Sequence, residues 1–113
     1  WAHECSVLVV TVTNGEGRYA YHDAGLALEN LAIQATSMGL HVHPMGGFSP
    51  AKATELLGIP EGHHPVAMVA IGYLADDSEL DENLIRKNRR ERLRKPLSEF
   101  CFEGTWGGHI RKV

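Results

Sequence analysis

At 113 residues, with a formal net charge of −3 and a sequence pI of about 6.2, the chain has room for one domain with a modest core and no global attraction for nucleic acid or anionic membrane. The longest apolar runs, 7–10 and 66–71, are too short to cross a bilayer and no signal-peptide pattern precedes Trp1, so a soluble cytoplasmic protein is expected. Cys5 and Cys101 lack metal-ligand spacing and cannot make a disulfide framework; two buried thiols in reducing surroundings are the expectation.

Trp1 is not an initiator Met and a strand starts a few residues later, so preceding sequence is expected. Residues 6–13, SVLVVTVT, are β-branched and apolar on both alternating faces, which predicts a central strand covered on both sides by helices. Asn14 to Gly17 is a turn, and Asp23 is placed to cap the helix that follows. The adjacent His22 invites a catalytic reading, but no nucleophile pattern accompanies the pair and capping is the simpler role.

The helix is the longest element predicted. Ala24, Ala27, Leu28, Leu31, Ala35 and Met38 keep helical spacing, and Leu26 and Ile33 form a second stripe. Glu29 is the one charge between Ala24 and Leu40, so this helix, roughly 22 Å long at 1.5 Å per residue, needs protein on most faces. A chain this short cannot supply it alone. Gly39 sits where a left-handed C-terminal cap belongs, and 40–43 alternates as a brief strand that Pro44 is expected to break.

In the loop Pro44, Met45, Gly46, Gly47, Phe48, two adjacent glycines let the backbone approach a neighbour closely. Taken alone, the pattern is that of a tight turn into the helix opened by Ser49 and Pro50, which runs over 51–57 and is stopped by Gly58 with Pro60 beyond. His41, His43, His63 and His64 raise the question of a metal. Neither pair has the i, i+4 helical arrangement and no Asp, Glu or Cys completes a recognisable set, so no metal is expected. Residues 66–73, VAMVAIGY, predict a second buried strand beside the first.

From Ala75 five acids between Asp76 and Glu82 precede seven bases between Arg86 and Lys95, predicting an exposed connection. The run RKNRRERLRK has no interleaved aromatics and its charge is offset by the acidic block, which disfavours nucleic-acid binding and leaves a solvated face or a local phosphate site. A last strand is expected over 98–102, before a glycine-containing tail with Trp106.

In this order and spacing, DAGLALENLAIQATSMGL, PMGGF, LLGIP, VAMVAIGYL and RLRKPLSEF resemble the C-terminal half of the FMN-dependent nitroreductase family over nearly the whole chain. The resemblance implies an α+β fold: a single nitroreductase-like domain over 1–113, lacking the family's N-terminal portion, whose sheet and buried central helix are completed by the partner in an intertwined homodimer. It implies FMN as cofactor and NAD(P)H as donor, with Pro44, Met45, Gly46 and Gly47 against the isoalloxazine, the two glycine backbones nearest N5, and Arg92 and Arg94 on the phosphate beside Lys95. The implied reaction carries two electrons to a nitroaromatic, quinone or similar small-molecule acceptor and needs no catalytic side chain. The alternative is a non-catalytic flavin-binding or structural fragment, because the family's N-terminal Arg motif and the polar groups for the flavin pyrimidine edge have no counterpart here. Neither nucleic acid nor membrane is implied as a partner.

Overall fold

The computed structural model describes residues 2–110; Trp1, on which the expectation of preceding sequence rests, lies outside the described residues. The elements form two compact units divided after Ala75. The first holds strands β1 (Val7–Asn14), β2 (His41–Met45) and β3 (His63–Gly72) and helices α1 (Ala20–Ser37) and α2 (Pro50–Leu57). The second holds helix α3 (Glu82–Asn88) and two short 3-10 turns, Asp77–Glu79 and Leu97–Glu99.

The three strands form an antiparallel sheet in the order β1-β3-β2. The sequence places β1 at the centre, but among the described residues β3 is central and β1 pairs with β3 alone, with Val7 and Leu8 exposed. Both strands carry apolar residues on both faces, and local composition cannot say which of two such strands acquires two neighbours. The core sits on β3: Val69 has no exposed surface and Ala70 is buried, with Ala35 of α1 and Ala53 of α2 also buried.

β3 contains Pro65, which cannot donate to a ladder. The register passes from Thr11↔Ala67 to Val12↔Pro65, so Val66 is the extra residue of a bulge. There the Thr11 hydroxyl donates to the Ala67 carbonyl at 3.2 Å and lies 3.1 Å from the Ala67 N–H, as its acceptor. One hydroxyl thus bonds both backbone groups of Ala67 next to the bulge. Thr13, also buried, donates to the His64 carbonyl.

α1 is longer than the sequence suggests, 18 residues or about 27 Å at 1.5 Å per residue. Asp23 is not its cap. The N-cap is Tyr19, without a side-chain bond, and Asp23 lies in the first turn accepting from His22 Nδ1 at 3.1 Å. The C-terminus closes as expected: Gly39 has φ +77°, its N–H bonds to the Thr36 carbonyl and the Leu40 N–H to that of Ala35, both at 3.0 Å, the paired bonds of a Schellman motif. Ala24, Leu28, Leu31, Ala32 and Ala35 are the partly or fully buried stripe, while Leu26 and Ile33 are 55% and 60% exposed. Within the first unit, then, the packed face of the helix is this one stripe.

α2 is capped by the Ser49 hydroxyl, which accepts from the Lys52 N–H, and ends at Gly58 with φ +60°. In the second unit the segment expected as an exposed connection is mostly exposed and contains α3, whose N-cap Asp81 accepts from the Asn83 and Leu84 N–H groups. Arg86 and Lys87 lie in its last turn, where the helix dipole favours cations. The strand expected over 98–102 does not form: residues 97–99 make a 3-10 turn whose backbone bonds close locally, Phe100 and Cys101 both bonding to Leu97. Cys5 and Cys101 are free and half-buried rather than buried.

Candidate functional site

The sequence expects β2 to stop before Pro44; it continues through Pro44 to Met45. Pro44 lies opposite Val69 and Met45 opposite Met68. Pairs in an antiparallel ladder alternate between those that exchange N–H···O bonds and those that do not, so a proline on an edge strand costs nothing at a non-bonded pair. Of the residues singled out as a loop, Pro44 and Met45 are therefore strand positions. Gly46 and Gly47 form the loop itself, between the end of β2 and the cap of α2 at Ser49.

The two glycines have no positive φ, and a Cβ built on either meets no atom of the described residues within 4 Å beyond its two chain neighbours. Their small size is therefore required neither by backbone strain nor by crowding inside the chain. Among the described residues neither takes part in the turn and loop backbone hydrogen bonds, whereas Ser49 accepts from the Ala53 N–H. An open glycine backbone with amides free of turn bonds is the geometry that admits a flat ring edge within hydrogen-bonding distance.

In the second unit, Arg92 and Arg94 lie in the irregular segment after α3 and are exposed. Arg86 donates to Asn83 Oδ1 and Arg89 pairs with Asp77, so these two are engaged locally. Arg94 Nη1 donates to the Leu93 carbonyl at 3.0 Å, and Arg92 has no recorded side-chain bond among the described residues, a property it shares with Lys87, Arg90 and Lys95. Each of the two singled-out guanidinium groups keeps donors for an anion. Asp76 is held below its ordinary pKa first by the Ser78 backbone N–H and then by the Ser78 hydroxyl.

His63 and His64 are successive on β3 and so face opposite sides; His63 Nδ1 lies 3.3 Å from the Glu61 carbonyl and His64 Nε2 3.7 Å from Glu16. No group of three or more His, Cys, Asp or Glu among the described residues is arranged to hold a metal. No described helix is long and apolar enough to cross a membrane. Sequence reasoning did not single out Trp106, which stands 94% exposed on the glycine turn 103–108 with its ring centroid 5.0 Å from that of Phe102. Nothing in local composition separates an exposed Trp from a buried one.

The model of the nitroreductase family matches residues 2–73. An uncharacterised 15.4 kDa protein in the ask 5′ region of Mycolicibacterium smegmatis is 40% identical over 97% of this chain and 78% of its own length. Among solved structures, an oxidoreductase containing FMN is 34% identical over 96% of this chain with a TM-score of 0.87, and this chain spans 60% of its length. The NfrA1 nitroreductase of B. subtilis is 29% identical over 77% of this chain and 32% of its own, with a TM-score of 0.62. The antiparallel sheet with its packed helices is thus a nitroreductase-like α+β fold, and on a family match over most of its length the chain belongs to the nitroreductase family.

Proposed function

We propose that this chain is part of an FMN-dependent oxidoreductase that passes two electrons from NAD(P)H to a nitroaromatic, quinone or similar acceptor. The observation that carries the reading is the open backbone at Gly46 and Gly47, which among the described residues no crowding and no left-handed conformation explains. Family membership and the likeness to an FMN-containing oxidoreductase support it.

When bound, FMN supplies the two-electron carrier. The chain's own part is to bind and orient. The glycine amides would offer N–H dipoles to the N5 edge, which would favour the electron-rich reduced ring, and the missing side chains would leave room for that edge. Arg92 and Arg94 would hold the phosphate through forked N–H donors that a lysine cannot reproduce. No side chain is asked to act as nucleophile. The reading includes a cytoplasmic homodimer, supported by the exposed apolar stripe of α1.

The test is the absorbance spectrum of the purified protein with and without added FMN, followed by titration with FMN and with riboflavin, which lacks the phosphate. Bound flavin is expected, and R92A/R94A should weaken FMN at least tenfold, about 1.4 kcal/mol, while leaving riboflavin nearly unchanged. Failure of the parent to bind either flavin would return Gly46 and Gly47 to a plain turn between β2 and α2.

A further inference from the structure

Among the described residues of the second unit, one ion pair joins the acidic block to the basic one: Arg89 Nη2 donates to Asp77 Oδ2, 12 residues back in the chain. Each partner is anchored by its own backbone. Asp77 opens the turn Asp77–Glu79, whose cap Asp76 accepts from the Ser78 N–H at 2.9 Å and from the Ser78 hydroxyl at 2.7 Å. Arg89 closes α3, its N–H bonded to the Ile85 carbonyl at 3.0 Å. Among the described residues, 91–95 take part in none of the turn and loop backbone hydrogen bonds, and order resumes at Pro96, which caps the turn Leu97–Glu99 and accepts from the Glu99 N–H at 3.0 Å. Arg92 and Arg94 thus lie on a short span tied at its two ends and not within it.

We propose that Asp77 and Arg89 are a positioning pair that preorganises Arg92 and Arg94 for the cofactor phosphate; the inference rests on the phosphate reading of those two arginines. A span with a fixed start has fewer arrangements to lose when its guanidinium groups close on an anion, so the pair lowers the ordering cost of binding without touching the ligand. The sign of the effect separates this role from plain electrostatics. Asp77 carries a negative charge, and removing such a charge from the surroundings of a phosphate strengthens phosphate binding or, where salt screens it, leaves it unchanged. Neutralising a positioning Asp77 does the opposite and weakens it. Glu79, in the same turn and with no recorded side-chain partner among the described residues, is the charge-matched comparison.

The test is titration of D77N, E79Q, R89Q and D77N/R89Q with FMN and with riboflavin, with circular dichroism checking each fold. D77N should bind FMN about threefold more weakly than the parent, the size one exposed ion pair supports, with riboflavin unchanged, whereas E79Q should bind FMN as the parent does or more tightly. In the R89Q background, where the pair is already broken, D77N should no longer weaken FMN. Parent-like or tighter FMN binding by D77N, an equal loss in E79Q, an equal loss of riboflavin, or a D77N loss that persists in R89Q would each overturn the proposal. If R92A/R94A loses FMN while D77N does not, this inference alone fails and the phosphate reading stands; if the parent binds neither flavin, both fall.

Discussion

At Gly39 the backbone sits at φ +77°, whereas at Gly47 it does not enter the left-handed region, and an added Cβ meets nothing within 4 Å at either position. The two glycines should therefore respond differently to the same substitution. Gly39→Ala forces an L side chain into the left-handed region and should destabilise the fold by about 1–2 kcal/mol, seen as a lower urea midpoint at unchanged slope. Gly47→Ala should leave stability within about 0.5 kcal/mol, and Gly47→Val should weaken FMN about tenfold, the effect of one compromised hydrogen bond of roughly 1–3 kcal/mol. A Gly47→Val protein that loses stability but binds FMN as the parent does would place the glycine's role inside the fold. Asp76 offers a separate test by pH. Its folded pKa lies below the ordinary 3.8 because the Ser78 N–H and hydroxyl favour the carboxylate. The stabilisation is therefore fully present above the unfolded value and is lost as pH falls through the lower folded one. NMR titration of the Asp76 carboxyl should give a midpoint below 3.8 in the parent and a higher one in S78A, which removes the hydroxyl and keeps the larger backbone contribution; equal midpoints would count against the hydroxyl as a cause.

Among the elements, α1 is unusual in how little of it the chain covers. One stripe packs on the sheet, yet Leu26 and Ile33, seven residues apart on another side, remain more than half exposed. Fully burying a Leu or Ile is worth about 1.5–3 kcal/mol, so two such side chains give a second copy of the chain a strong reason to associate. Leu26→Asp together with Ile33→Asp should weaken the proposed homodimer at least a hundredfold, read by light scattering across a concentration series, while helix content by circular dichroism is retained. A parent that stays monomeric at micromolar concentration would remove the dimer from the proposal. The packed stripe was legible in sequence, because Ala24, Leu28, Leu31 and Ala35 repeat at helical spacing; Ala27 and Met38 were assigned to it and are exposed. Periodicity marks a helix face but does not measure how wide a face its neighbours cover.

For the molecule as a whole, the small core makes ligand binding thermodynamically visible. Four residues with small side chains, Ala35, Ala53, Val69 and Ala70, form the buried apolar core among the described residues, and small domains are marginally stable. Under the flavin reading, FMN at a hundred times its Kd should add about 2.7 kcal/mol through binding to the folded state alone, raising the thermal midpoint. No shift at that concentration, with flavin bound by absorbance, would show that the folded and unfolded states bind it alike.

What depends on neighbours in the chain was legible before any coordinates. The body of α1, its Gly39 cap, the Ser49 and Gly58 boundaries of α2 and the pairing of β3 with β1 all follow from spacing, cap residues and apolar runs. The glycine pair was visible as a motif, but only the tertiary structure showed that neither strain nor crowding within the chain requires it. Tertiary structure also decided that β3 and not β1 is central, that Val66 is bulged where Pro65 enters the ladder, and that β2 runs through Pro44 to bring Met45 onto the face of His41 and His43. The physical reason is common to all three. A strand's place, register and end are set by backbone hydrogen bonds to residues far away in sequence, and a proline stops a strand only where the missing N–H was needed.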